Sequence, residues 1–351
     1  MQEIKVALGA RSYPILVASG IIDRLDNHIA ATGKKAVVTT PVVHQLYGDR
    51  VAASLGDHTL MVVPDGEEAK QWSVVEELLG KFVDADMDRK SAVIALGGGT
   101  VGDLAGFAAS IYLRGVDVVQ VPTTLLSMVD SSIGGKTAVN HPKGKNLVGS
   151  FHQPSQVLID PSLLSSLPEH ELRSGMAEVI KYGVISDPKL FSLLESKNLG
   201  ELSTNDLVEI IARCADTKAR YVEQDEEDRA GIRAALNYGH TVGHALETLT
   251  DHEVNHGEGV AIGMALAAWI AHEKGLITGA ETERIQNLIK QYGLPSKIPS
   301  LDHDMIFEVM HRDKKAEKGK IRFILPTGIG KAPVLQYIED ETIKHALEAY
   351  S

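Results

Sequence analysis

Short apolar runs alternate with stretches of helical period through the first half of this chain. KKAVVTT, HTLMVVP, KSAVIALGGGT, VDVVQVPTT and SQVLIDP are apolar at successive positions and end in turn residues. Runs that are apolar throughout, rather than at every second residue, suit strands covered on both faces. Between them lie helical patterns such as AKQWSVVEELLGKFVDAD. Strands separated by helices predict a parallel sheet. The opening MQEIKVALGARSYPILV carries acid and base early and lacks a long apolar core, so it reads as a strand that opens the domain rather than as a leader peptide.

After about Leu167–Pro168 the apolar residues take a period near 3.6. ELRSGMAEVIKYGVI, NDLVEIIARCADTKARYV, GHALETL, EGVAIGMALAAWIAHEKG and ERIQNLIKQYG read as helices, with KIRFILP the clearest strand. The expected organisation is α/β: an N-terminal α/β domain over residues 1–165, then a mainly α-helical domain over 166–351. No internal repeat or low-complexity tract interrupts it. YVEQDEEDRAG reads as a solvated loop.

The 351 residues are 44% hydrophobic and 23% charged, enough to bury a core, and the formal net charge is -12. That balance argues against nonspecific binding to nucleic acid or an anionic membrane. The single cysteine, Cys214, excludes an intramolecular disulfide and a Cys-rich zinc site. It fits a reducing cytosol and reads as a small buried residue. No stretch reaches the ~20 apolar residues of a membrane span. GVAIGMALAAWIAHEKG reads instead as a buried core helix.

VIALGGGTVGD runs from a strand into a glycine turn and a helix. Gly97, Gly99 and Gly102 have the G-x-G-x-x-G spacing. Glycines allow close backbone approach, and the helix N-terminus offers free N–H groups to a pyrophosphate. A glycine turn that serves only packing has the same signature. Glu67 and Lys70 in PDGEEAK, and Thr123 and Thr124 in VPTT, also fall at expected strand ends, where open α/β sheets bind ligands.

LNYGHTVGHALE places His240 and His244 at i, i+4, on one helix face, and His256 follows in VNHGEG. Thr241 after His240 excludes the H-E-x-x-H of metalloproteases. Histidines in this pattern suit zinc, although such pairs also occur without metal. Glu178, among Ala177, Val179 and Ile180, is the candidate carboxylate. With Lys181 three residues on, it is either a structural ion pair or a metal ligand beside a substrate-binding lysine.

SMVDSSIGGKTAVNHPKGKNLVG, dense in glycine, lysine and small polar residues, reads as a loop. Lys136, Lys145 and Asn146 there can donate to a phosphate, with Gly134 and Gly135 admitting the backbone. It is not a Walker loop, because Asp130 stands where the first glycine is required. Arg114, Lys218, Arg233 and Lys314 recur beside the other motifs and hint at an anionic substrate.

Together PDGEEAK, GGGTVGDLAGFAAS, YLRG, VPTTLLSMVDSSIGGKTAVN, KNLVGSFHQP, RSGMAEVIKYG, LNYGHTVGHALE, NHGEGVAIGM and DKKAEKGKIRFILP resemble the 3-dehydroquinate synthase family along nearly the whole chain. The resemblance implies a Rossmann-like N-terminal domain, a helical C-terminal domain and a site in the cleft between them. It assigns zinc or cobalt(II) to Glu178, His240 and His256. It assigns NAD to Glu67, Lys70, Gly98, Gly99, Thr100, Asp103, Thr123, Thr124, Lys136 and Lys145, with Leu163 and Ser166 at the periphery. Substrate falls to Asp130, Lys136, Asn146, Lys181, Lys218, Arg233, Asn237, His244 and Lys314, and to Arg114 across a homodimer interface. Among these, Lys181, His244, Arg233, Asn237, Lys218 and Asp130 are the implied catalytic set. The implied substrate is 3-deoxy-D-arabino-heptulosonate 7-phosphate, in the cytoplasm. Another sugar-phosphate cyclase, a metal-dependent alcohol or glycerol dehydrogenase, and a non-catalytic dinucleotide-binding regulator are the alternatives.

Overall fold

The apolar runs of the first half become strands. In chain order the elements are β1 (Gln2–Val6), β2 (Tyr13–Val17), β3 (Lys35–Thr39), α1 (Pro41–Leu55), β4 (Thr59–Val62), α2 (Trp72–Asp84), β5 (Ala92–Gly97), α3 (Gly99–Ile111), β6 (Asp117–Pro122), β7 (Lys136–His141), β8 (Gly144–Phe151) and β9 (Gln156–Ile159). There follow α4 (Glu169–Ile185), α5 (Pro188–Glu195), α6 (Thr204–Gln224), α7 (His240–Leu249), α8 (His256–Glu273), α9 (Gly279–Gln291), α10 (His303–Arg312), β10 (Ile321–Leu325), β11 (Val334–Ile338) and α11 (Asp340–Ala349). The structure is a computed structural model and describes residues 1–251, 253–312 and 320–350. It divides into two units: Met1–Pro168 with Thr204–Glu227, and Glu169–Ser203 with Asp228–Ser351.

In the first unit a seven-stranded sheet has the order β1-β2-β9-β6-β5-β3-β4. Its pairs are parallel except β1 with β2. Every residue of β5 is buried, as its continuous apolar run requires. The opening segment is two antiparallel strands rather than one, because the turn Gly9–Arg11 breaks the apolar pattern. From β3 the chain moves through α1 to β4 on one side, and from β5 through α3 to β6 on the other. The strand order therefore reverses between β3 and β5, and ligand crevices form at the carboxyl ends of strands at such a point.

Glycines set how closely α3 lies on its neighbours. A Cβ on Gly102 would fall 2.8 Å from Oε1 of Gln120 on β6, and one on Gly106 would fall 2.5 Å from Cγ2 of Thr137 on β7. None of Gly97, Gly98, Gly99 or Gly102 has a positive φ. Here the motif supplies close approach rather than unusual backbone angles.

Part of the segment expected to be a loop is ordered structure. Ser127–Ser131 forms a π-helical turn, and β7 and β8 make a two-stranded antiparallel sheet separate from the main one. Most of β8 is exposed or half-buried, so a polar composition is compatible with pairing there. The β7–β8 register shifts between Val139 and His141.

Helix α6 follows the expected boundary near residue 166 in sequence, yet it lies in the first unit, packed along β1 and the Ser127–Ser131 turn. Its buried face includes Ile210, Ile211, Cys214 and Ala215. Glu223 accepts from the Ala7 N–H at 2.7 Å. Just past the helix, Glu226 pairs with Arg11 at 2.6 Å. Helical periodicity reveals this face but not which neighbour covers it.

At the end of β9, fully buried Asp160 accepts from the N–H groups of Gly20 (3.1 Å), Ile22 (3.3 Å) and Ser162 (3.0 Å), and from the Ser162 hydroxyl at 2.6 Å. It ties β9 to the segment that follows β2.

In the second unit α4 is buried continuously from Ser174 to Ile185, and α8 over most of its length. α7 and α8 meet backbone to backbone. A Cβ on Gly263 would overlap the Gly239 carbonyl, and one on Gly243 would fall 2.9 Å from the Gly259 carbonyl carbon. On the α4 side, a Cβ on Gly257 would overlap the Ser174 backbone. Gly239 itself sits at φ +85°, a left-handed conformation that favours glycine. Among the described residues no helix is long and apolar enough to cross a membrane.

Two stability predictions follow from these contacts. Asp160→Ala removes the acceptor of four hydrogen bonds, one from the buried Ile22 N–H and three from part-buried donors, so denaturant titration should show a loss of about 2–4 kcal/mol. Gly263→Ala inserts a methyl group into main chain that cannot yield, so a loss of at least about 3 kcal/mol, or no folded protein, is expected. A wild-type unfolding midpoint for either variant would contradict the corresponding contact.

Candidate active site

Helix caps bring the second unit's histidines together. His240 is the first residue of α7, released from the preceding turn by Gly239, and His256 is the first residue of α8, after an Asn255–Glu258 capping box. Both rings turn toward Glu178 on α4. Glu178 Oε1 lies 3.6 Å from His240 Nε2 and 3.6 Å from His256 Nε2, while Glu178 Oε2 pairs with Lys181. Glu178 and Lys181 are each 1% exposed. The ion pair with Lys181 is present, and the same carboxylate meets the lysine with one oxygen and two imidazoles with the other.

The remaining imidazole nitrogens are also engaged. His240 Nδ1 lies 3.1 Å from the Tyr238 carbonyl, and His256 Nδ1 lies 3.0 Å from Glu247 Oε1. Burial pushes His240 well below its ordinary pKa and favours the neutral ring. Burial also opposes charge on His256, but the Glu178 and Glu247 carboxylates overcome it and raise that ring to about 10. Two acids around one imidazole call for positive charge, and a divalent cation can supply it in place of a proton.

Donor atoms of Glu178, His240 and His256 lie within 4.8 Å of one another. Two imidazoles and a carboxylate are a donor set that zinc and related ions accept with a position left open for substrate. The residues fit a metal. His244, Glu247 and His256 form a second group within the same limit. The His244 ring is 5.3 Å from that of His240 and 6.3 Å from that of His256. Asn237 ends a short 3-10 turn just before this cluster, and Arg233, in the same turn, is 3% exposed. Lys314 lies outside the described residues.

The first unit gathers a different set. Buried Lys70 donates to Asp103 Oδ2 at 2.7 Å and to the Asn146 side-chain oxygen. Burial lifts the Asp103 carboxyl above its ordinary pKa against the pull of Lys70. Asn140 links the group: its side chain donates to Glu67 at 2.8 Å and accepts from the Asn146 N–H at 2.9 Å, and its N–H donates to the Lys70 carbonyl at 2.7 Å. Gly98 caps α3 without any side-chain acceptor, so with Gly99 and Thr100 it presents first-turn amides that an anion can use. Thr123 donates its N–H to Gly97 at 2.9 Å, and Thr124 shares a hydrogen bond with Ser127 at 2.8 Å.

Lys218 on α6 pairs with Asp130 at 2.8 Å. Lys136, Lys145 and Arg114 are exposed, Arg114 at φ 69°. Leu163 is buried, with its carbonyl accepting from Tyr47 at 2.9 Å, and Ser166 meets the same tyrosine hydroxyl. Sequence reasoning missed Asn140 and Glu247. Glu247 had a signal, since it falls seven residues after His240 and three after His244, on their helix face. Asn140 had none, because its partners Glu67, Lys70 and Asn146 are set by tertiary contacts rather than by spacing.

Residues 60–174 match the family model for the 3-dehydroquinate synthase N-terminal region, and residues 175–316 match that for the C-terminal region. A curated 3-dehydroquinate synthase from Pelobacter propionicus is 46% identical, with 98% of each chain covered. Among solved structures, 2-deoxy-scyllo-inosose synthase complexed with carbaglucose-6-phosphate, NAD+ and Co2+ is 27% identical, with a TM-score of 0.90 and 100% of each chain covered. The 2-epi-5-epi-valiolone synthase of Streptomyces hygroscopicus, with NAD+ and Zn2+ bound, is 29% identical, with a TM-score of 0.87, covering 100% of this chain and 98% of that one. Identity at this level across almost the entire length shows that the chain belongs to the 3-dehydroquinate synthase family.

Proposed function

We propose that this chain converts 3-deoxy-D-arabino-heptulosonate 7-phosphate into 3-dehydroquinate and phosphate, with NAD recycled in each turnover and a divalent ion, zinc or cobalt(II), on Glu178, His240 and His256. The observation that carries the reading is one buried carboxylate facing two imidazoles, each 3.6 Å from the same oxygen. The family relatives support the reaction, and the cyclase structures with NAD+ and Co2+ or Zn2+ support the cofactors. When bound, NAD would supply the acceptor and later the donor for a hydride at the carbon bearing a substrate hydroxyl, and the ion would lower the pKa of that hydroxyl.

The chain's own residues bind, orient and move protons. Amides at the start of α3 take the pyrophosphate of NAD, with Gly98, Gly99 and Thr100 leaving room. Lys70, braced by Asp103, works there with Glu67, Thr123, Thr124, Lys136 and Lys145, and Leu163 and Ser166 lie at the edge. Arg233 offers a guanidinium fork to the substrate carboxylate, with Lys218, oriented by Asp130, as a second cation. Lys136, Asn146, Arg114 and Lys314 hold the phosphate. Lys181 and Asn237 orient substrate hydroxyls. His244 moves protons during phosphate elimination, ring opening and aldol closure.

The working form in this reading is a cytoplasmic homodimer in which Arg114 serves the partner's site. Its exposure beside Ile111 and Leu113, 39% and 40% exposed, supports a surface role. The single, buried cysteine fits a reducing compartment.

Phosphate release from the heptulosonate phosphate tests the reading. It should require NAD and a divalent ion, stop with chelator, return with zinc or cobalt, and leave no net NADH. A carboxylate-free sugar phosphate should be turned over poorly, because Arg233 and Lys218 then lack their partner. Turnover in chelator, stoichiometric NADH, or a preference for the carboxylate-free substrate would contradict it.

A further inference from the structure

We propose that Glu247 is a positioning residue: it fixes which nitrogen of His256 faces the ion, and so which of two overlapping donor groups is the metal site. The inference rests on the metal reading above and extends it. His256 belongs both to the group with Glu178 and His240 and to the group with His244 and Glu247. A neutral imidazole has one N–H and one lone pair, so it can serve only one of them as a ligand.

The hydrogen bonds decide. His256 Nδ1 lies 3.0 Å from Glu247 Oε1, and an ionised carboxylate only accepts, so the proton belongs on Nδ1. The lone pair is then on Nε2, 3.6 Å from Glu178 Oε1. His240 is keyed in the same sense, with Nδ1 on the Tyr238 carbonyl at 3.1 Å and Nε2 3.6 Å from that same Glu178 oxygen. Two rings from two helices thus present the same nitrogen to one point. Glu247 meets His256 at Nδ1, so with the proton there this nitrogen has no lone pair to offer a group that includes Glu247. Glu247 lies on α7, so the helix that supplies one ligand also orients the ligand that opens α8. The close approach of Gly243 to Gly259 makes that reach possible. A carboxylate behind an imidazole also raises its basicity as a ligand.

The test is zinc and cobalt(II) affinity by competition with a chromophoric chelator, together with the visible spectrum of the cobalt-loaded protein. Wild type, Glu247→Ala, Glu247→Gln and His256→Ala are compared, with unfolding midpoints as a control. His256→Ala should lose the site. Glu247→Ala should keep one ion with a similar cobalt spectrum but bind about 10–100-fold more weakly. Glu247→Gln should recover much of that loss, because its side-chain oxygen still accepts from Nδ1. Wild-type affinity in Glu247→Ala overturns the proposal. So does a loss equal to that of His256→Ala with no recovery in Glu247→Gln, which would make Glu247 a ligand. If His256→Ala binds as wild type does, the metal reading itself fails. Nitrogen-15 NMR of the zinc-loaded wild type reads the same point without a variant: a proton on His256 Nδ1 is expected, and one on Nε2 would contradict it.

Discussion

Three helices of the second unit touch through main chain because glycine stands wherever a side chain would keep them apart. Gly263 leaves space for the Gly239 carbonyl, Gly243 lies against Gly259, and Gly257 lies against Ser174 of α4. These contacts flank the three residues on which the proposed chemistry depends. His240 follows Gly239, His256 precedes Gly257, and Glu178 is one turn beyond Ser174. A helix start is a well-defined point in space, and two such starts beside a third helix place donor atoms within reach of one ion. The ionic groups cost desolvation energy when buried, so apolar and backbone packing has to hold them in place.

The first unit reaches close approach in the same way for a different purpose. Gly102 and Gly106 let α3 sit down on Gln120 and Thr137, and the helix begins two residues past the carboxyl end of β5. Lys70, Asp103, Asn140 and Asn146 form a hydrogen-bonded group near that edge. Two of its members come from the β7–β8 sheet, which itself packs on α3. Lys218 and Asp130 form a further pair, contributed by α6 and the π-helical turn.

Much of this was legible in the chain. Continuous apolar runs marked the parallel strands, and the strand–glycine–helix order marked the α3 N-terminus. Spacing put His240 and His244 on one face, and the apolar neighbours of Glu178 announced its burial. Other features depended on tertiary context. A two-stranded sheet away from the core needs few apolar residues, so 127–149, which holds most of β7 and β8, looked like a loop. Periodicity showed that α6 had a buried face but could not say that β1 would cover it. Spacing put Glu247 on the face of His240 and His244, but its contact with His256 depends on a second helix that spacing cannot place.

The proposed chemistry depends on Glu178, His240 and His256 sharing one ion. Zinc K-edge X-ray absorption on the zinc-loaded protein tests it most directly. Two imidazole shells with Zn–N near ~2.0–2.1 Å and an oxygen shell at ~2.0–2.2 Å are predicted, falling to one imidazole in His240→Ala. A zinc shell without imidazole scattering, or one unchanged in that variant, would contradict it.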